Sequence, residues 1–473
     1  MPIISLTISG SYWKFLVTIN IFMVAITMFT LLDLVSRGVM ADIYHRGYKT
    51  VKYHQLLNVT CIAHDAKYTC DCGHINQIML LPRLLGSAYH VDISNCKALT
   101  INANALGDIQ GLRKITFNNI NNLILNKYAL AFPIHASNTP LVLRFEKVNI
   151  EIIDSHAING LIEEITFVDG HINTINPFAV TILKDHALLL KMDNISINCI
   201  ESQAFKKFVV EQIDVRNCKF ISSVPSKAFY EVEVLDTLNI IGVQFQDIHS
   251  RAFSFKMISK LTLIQNNFKS VDAEWLEAFI KEAVSIRENN FGQTSQIAFK
   301  AIMLHRDYVS NEKMELRFSN NIVSFGNQIR PLDFQDMFHL NIKRLYYDNE
   351  FSCHDVDVTQ QPPQPKSVFF QQHKDQLYFR FNSNADQSSD FILLSQFIAT
   401  ECRESTYWLY IVAPSIGLLL LLIIIIISTI VLFKQKTKRQ QLKIEIIKPE
   451  QRTYKETQII YQIENAGLLK TDL

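Results

Sequence analysis

Residues 261–268 read LTLIQNNF and residues 284–291 read VSIRENNF, two copies of one eight-residue phrase. Apolar residues stand at its first, third and last positions: Leu261, Leu263 and Phe268 in one copy, Val284, Ile286 and Phe291 in the other, with Asn266 and Asn289 at the sixth. Alternation over the first four positions marks a short strand with one buried face. The phrase recurs upstream as LNIIGVQF at 238–245 and IDVRNCKF at 213–220. The same frame fits Leu190, Met192, Ile195 and Ile197, then Ile165, Phe167 and Ile172, then Leu143, Phe145, Val148 and Ile150, with looser copies at Ile115 and Val91. Downstream, Leu316, Phe318, Asn321 and Val323 fit, and a slipped version around YYDNEF closes a series of about ten repeats starting 22 to 32 residues apart.

A second landmark fixes the phase. Ala204-Phe205, Ala228-Phe229, Ala252-Phe253 and Ala298-Phe299 each fall about fifteen residues after a strand start. A β-sandwich would explain the alternating pieces but not two landmarks in one recurring register.

The repeat resembles the roughly 24-residue extracellular type of the leucine-rich-repeat family, over about residues 60 to 400. The resemblance implies an α/β solenoid: a curved parallel sheet of short strands, with the Phe of each return segment filling the opposite wall. The turn Asn would satisfy backbone groups of neighbouring coils, and Cys96 and Cys218 occupy the same slot as weaker, structural substitutes. Val148, Ile195 and Val243 replace it altogether, so local irregularity is expected there.

The same resemblance implies cysteine caps closing both solenoid ends in an oxidising compartment. Cys61, Cys70 and Cys72 crowd before the first repeats and are expected to pair within their group or with Cys96; Cys353 is expected to pair with Cys402. The C-terminal set departs from the family's usual four-cysteine form. Cys199 and Cys218, in successive coils, either pair or stay free. His64 and His74 lie among the first cysteines, but their spacing is not a standard zinc pattern, and disulfides are the expected use of those sulfurs.

The ends of the chain point to a membrane. Tyr407 to Phe433 carries no charge in 27 residues, a helix of about 40 Å at ~1.5 Å per residue. Tyr407, Trp408 and Tyr410 form an aromatic belt at one end, and Lys434, Lys436, Lys438 and Arg439 follow the other, which places the C-terminus in the cytoplasm. Phe15 to Leu32 is a second apolar block, read as a signal peptide cleaved before Asp42, with an uncleaved anchor as the alternative. The resulting organisation is a signal segment (1–41), an N-terminal cysteine-containing flank (42–88), leucine-rich repeats (89–352), a C-terminal flank and stalk (353–406), a membrane helix (407–433) and a tail (434–473). Among 46 basic and 45 acidic residues overall, the part outside the membrane is close to neutral, so no polyanionic ligand is implied by charge.

No nucleotide-binding, metalloprotease or hydrolase motif occurs, and 14 glycines leave little room for phosphate-cradling loops. No catalytic residue, metal or cofactor is therefore expected. Pairs such as Asp154 with His156, or Asp185 with His186, are read as solvated return-loop residues. The expected partner-binding surface is the outward side of the repeat strands, the concave face in the family: Arg144, Glu146, Thr166, Lys191, Asp214, Arg216, Lys260, Thr262, Ser285, Arg287 and Arg317. Their mixed signs suit a folded protein partner better than a polyion. Sequons at Asn58 and Asn194 are glycosylation candidates, a glycan at Asn194 being expected to obstruct the concave side.

The forty-residue tail is too short for a signalling domain. Glu464 with Leu468-Leu469 resembles an acidic dileucine sorting signal read by an adaptor, and Thr471 with Leu473 resembles a PDZ ligand. Tyr454 and Tyr461 match no tyrosine-based signal. The expected function is cell-surface recognition or adhesion at the plasma membrane, with endolysosomal cycling through the tail. Capture of a soluble ligand as receptor or co-receptor, and accessory-subunit action within a membrane complex, are the alternatives.

Overall fold

The computed structural model describes residues 57–73, 75–132, 140–182, 187–308, 310, 312–326, 328–357, 363–381, 390–402 and 407–445. The signal segment, His74, Asp185, His186, Tyr454, Tyr461 and the tail signals Glu464, Leu468, Leu469, Thr471 and Leu473 lie outside them. Among the described residues, one compact unit runs to Phe351 and takes in Gln372–Leu394; a second joins Ser352–Gln371 to the chain from Ser395.

The first unit is a parallel β-solenoid of about twelve turns. Its first face begins with Lys67–Asp71 and His90–Cys96 and ends with Met314–Ser319 and Phe338–Lys343, each strand pairing in parallel with the next. The inward positions of the repeat stack in register, Leu238 on Leu261, Leu261 on Val284, Val284 on Leu316 and Leu316 on Leu340. One turn beyond the expected series appears, at Lys67–Asp71, and the slipped repeat is relocated to Phe338–Lys343. YYDNE belongs to Leu345–Glu350 on the next face, while Leu340 and Ile342 carry the final first-face strand.

The return segments are also strands, so each turn has three faces. On the second, Phe220, Phe245, Phe268 and Phe291 stack at centroid spacings of 4.7, 5.0 and 4.7 Å. On the third, the Phe of three successive Ala-Phe pairs does the same, Phe205 to Phe229 at 4.5 Å and Phe229 to Phe253 at 5.3 Å, whereas Phe299 stacks on Phe334. Each offset stack adds about 1 kcal/mol beyond area burial. The preceding Ala204, Ala228 and Ala252 are fully buried where the chain turns and no larger side chain is present.

The corners are made by residues in the left-handed conformation. Asn217, Gly242, Gln265, Glu288 and Asn320 close the first face with φ of 51°, 66°, 55°, 57° and 54°, and Gln203, Lys227, Arg251 and Glu274 open the third with 60°, 61°, 54° and 52°. Each non-glycine residue there carries a cost of about 1 kcal/mol. The compensation is that each corner N–H donates to a carbonyl of the next turn, as from Gln265 to Arg287 at 3.1 Å and from Lys227 to Arg251 at 2.8 Å.

Directly after the first corner, Asn266, Asn289 and Asn321 are buried and form a ladder. Asn289 Oδ1 accepts from the backbone N–H of Asn266 at 3.0 Å, and its Nδ2 donates to the carbonyl of Leu263 at 3.0 Å and to Asn321 Oδ1 at 3.0 Å. Asn266 Oδ1 likewise accepts from the Val243 N–H. Of the three apolar replacements, only Val148 adjoins a register shift; the pairing runs evenly through Ile195.

A solenoid end lacks a neighbouring turn, and here the first face is closed by an antiparallel hairpin, Cys61–His64 on Lys67–Asp71, whose turn residues Asp65 and Ala66 both have positive φ. Cys61 faces Cys70 across it and is bonded to it. Cys72 is bonded to Cys96, which overturns the buried-thiol role given to Cys96: the two lie one turn apart with Cα atoms 4.9 Å from each other. In the second unit Cys353 is bonded to Cys402. Cys199 and Cys218 are free. Cys218 follows a corner and is aligned with Ile195, whereas Cys199 pairs with Thr174 further along the turn, so the thiols do not meet.

The second unit also contains the helix Tyr407–Glu445. Within its stretch Val412–Gln440 the most apolar window has a mean hydropathy of 3.3 and no part of it is buried by protein, and this is the one described helix long and apolar enough to cross a membrane.

Burial pushes the Cys218 thiol up to about 11. Iodoacetamide at pH 8 on the folded, unreduced chain is therefore expected to label the half-exposed Cys199 well before Cys218, and peptide mapping to return the three disulfides above. Equal labelling of both thiols would contradict the packing of that turn.

Candidate functional surface

All eleven candidate contact residues lie on the outward side of the first face, in three neighbouring rows. The central row runs Thr116, Arg144, Thr166, Lys191, Asp214, Asn239, Thr262, Ser285, Arg317 and Asn341, each opposite the next in register. Two positions further along each strand, the trailing row runs Glu146, Val168, Asp193, Arg216, Ile241, Ile264, Arg287, Ser319 and Lys343. Lys260 stands in the leading row, between Thr237 and Ala283.

Most charges on this surface are neutralised locally. Arg144 Nε donates to Glu146 at 2.9 Å, Lys191 pairs with Asp193 at 3.2 Å, Arg216 with Asp214 at 2.7 Å and Arg317 with Glu315 at 3.3 Å. Lys260 lies between Asp236 at 3.2 Å and Glu282 at 3.5 Å. The hydrogen bond it donates to Asp214 holds the Arg216 guanidinium above its ordinary range, and that donated to Asp236 does the same for the Lys260 ammonium. Lys191 and Asp193 lie opposite Asp214 and Arg216, so the charges alternate in both directions. Exposed pairs of this kind contribute little to stability, but they cancel the field that would attract a polyion. Thr166 and Asp214 are themselves buried among their neighbours, which removes them as direct contacts.

The sequence reading passed over Asn239, Ile241, Ile264 and Ala283. Ile241 and Ile264 are opposite each other, half-buried, in the one place among the three outward rows where two large apolar side chains are neighbours. The signal was present as a doubled apolar residue at the strand end, Ile240-Ile241 and Leu263-Ile264, which breaks the two-residue period. Around them lie Asn239, Thr262 and Ser285, uncharged, then Arg216, Lys260 and Arg287. An apolar centre with a polar rim is the anatomy of a protein-binding patch.

Of the glycosylation candidates, Asn58 is exposed in the short strand Leu57–Asn58. Asn194 is an exposed corner residue whose Nδ2 donates to Asp169 Oδ1 at 2.7 Å, a bond that a glycan would have to replace. Where the eleventh turn lengthens, an open cleft of about 680 Å³ is lined by Thr294, Ser295, Gln296, Ile297, Phe325, Gly326, Gln328 and Arg330, with a single charged residue among them. Cys61, Cys70 and Cys72, considered above beside His64 as zinc ligands, are all held in disulfides.

No protein-family model, curated protein or solved structure matches the chain. The fold and the surface chemistry therefore carry the functional argument.

The assignment of faces has a direct check. Leu263 is fully buried and Ile264, one residue on, points outward. Leu263→Ser is expected to destabilise the solenoid by about 3 kcal/mol or more, and Ile264→Ser by less than about 1 kcal/mol, measured by urea unfolding. Similar losses from both would contradict the register.

Proposed function

We propose that the chain is a leucine-rich-repeat surface protein, anchored by one membrane helix with its solenoid outside the cell, which recognises another protein through the first face. The observation that carries this reading is the surface just described: a broad parallel sheet, its charges largely cancelled in pairs, with an uncharged centre at Ile241 and Ile264. Such a surface suits a folded partner. The asparagine ladder, the Phe of the return segment and the disulfides at the ends support the family reading. The disulfides and the apolar helix support an outer, oxidising location, and the basic run after Phe433 supports a cytoplasmic tail. In that setting Asn58 carries the glycan, and the tail signals at Leu468-Leu469 and Thr471 to Leu473 govern residence at the surface through an adaptor or a PDZ protein.

The test uses cells displaying the full-length chain, mixed with a panel of native cells. Adhesion to a subset of the panel is expected. The double substitution Thr262→Asn with Ile264→Thr, which writes a sequon onto the first face, is expected to abolish it. Lys269→Thr, which completes a sequon at Asn267 on the second face, is expected to leave it intact. Adhesion that survives both glycans would contradict the assignment of the face.

A further inference from the structure

On a surface where cations are matched with acids, two in the C-terminal half of the trailing row are not. Among the described residues, Arg287 and Lys343 are exposed and make no ion pair or side-chain hydrogen bond, whereas Arg144, Lys191, Arg216, Lys260 and Arg317 all have carboxylate partners. Arg287 is the immediate cross-strand neighbour of Ile264, and Lys343 lies two turns beyond Arg287, with Ser319 between them. At about 4.8 Å per turn the two cations are about 10 Å apart along the row. The half-buried, outward-facing apolar pair and the uncompensated charge of Arg287 are thus contiguous, with Lys343 in the same row.

Resting on the reading of the first face as the binding surface, we propose that its contact centre is Ile241, Ile264, Arg287 and Lys343, and that the partner there is an acidic protein surface. An apolar side chain of the partner covers Ile241 and Ile264, and carboxylates beside it reach Arg287 and Lys343. The apolar contact excludes water from the neighbouring guanidinium, which strengthens its hydrogen bonds to a carboxylate and allows two of them in parallel. The paired charges nearer the N-terminus, from Arg144 to Arg216, form the rim and need nothing from the partner. A sulfated polysaccharide would satisfy the two cations but not the two isoleucines, so the contributions of Ile264 and Arg287 separate these classes.

The full-length chain in nanodiscs is presented to two displayed libraries built on one small helical scaffold, one varied among Asp, Glu and apolar residues and the other among Lys, Arg and apolar residues. Enrichment of the acidic library is expected, with clones that lose at least about tenfold in affinity on Ile264→Ser and on Arg287→Glu, and little on Arg144→Ala. Enrichment of the basic library alone, or acidic clones indifferent to Ile264→Ser, overturns the proposal. Heparin-coated beads are the second arm: capture that Arg287→Glu removes and Ile264→Ser leaves unchanged, without acidic clones, assigns the cations to a polysulfated chain and overturns it too. The adhesion assay separates this from the broader reading. If the first-face glycan blocks adhesion while Ile264→Ser and Arg287→Glu do not, the face stands and this centre falls; if the glycan itself has no effect, the face falls.

Discussion

Everything in this molecule depends on one constraint: the main chain of each turn is satisfied by the turns on either side of it. Parallel pairing does this along the faces, but the chain must also turn corners, and a corner ordinarily leaves amides and carbonyls unmatched. Here, at two of the three corners of a turn, the corner residue takes a left-handed conformation that aims its N–H at the next turn, in register. The conformational cost is paid once per corner and offset by a hydrogen bond that exists only in the stack. Side chains extend the same principle inward, as amides at Asn266, Asn289 and Asn321 and as rings along the Phe stacks. An interior turn is thereby held without a cross-link, and the six bonded cysteines fall near the two ends of the repeat region, where a neighbour is missing.

This explains what could be read in the sequence. The first face was legible because its inward positions alternate and repeat, so Leu261, Leu263 and Phe268 announce both the strand and the turn after it. The Asn ladder was legible because a buried amide at a fixed corner has few other uses. The three-faced cross-section was not: the return strands are short, and apart from the Ala-Phe pair their outward residues follow no pattern, as Lys206, Tyr230, Ser254 and Glu277 in successive turns illustrate. The end of the series was misplaced because Asn349 in YYDNEF imitates the ladder residue. It bonds instead to the main chain of Phe325, while Phe338–Lys343 forms its strand with no Asn after it. Cys96 had two readings, a thiol in the ladder slot and a partner for the N-terminal cysteines; the slot favours the first and does not reveal that Cys72 occupies the turn before, where the second is met.

The candidate surface shows the same division. Outward positions follow from the strand period, so the eleven chosen residues all fall on one face. Which of them could meet a partner depends on side-chain contacts that the sequence does not display: Asp214 is spent on Arg216, Thr166 is covered, and Arg287 has no carboxylate partner among the described residues. The two isoleucines were excluded by the rule that apolar residues point inward. They are where that rule fails, and failures of a folding pattern on an otherwise regular surface are where function is to be sought.

The most direct test of the account is amide hydrogen exchange on the full-length chain, read at single residues along the ladder. The N–H groups of Val243, Asn266 and Asn289, bonded to the next asparagine side chain, should exchange as slowly as the strand amides of Leu263 and Ile286, because ladder and strands open only together. Fast exchange at those three positions with protected strands on either side would mean that the turns do not hold one another as described.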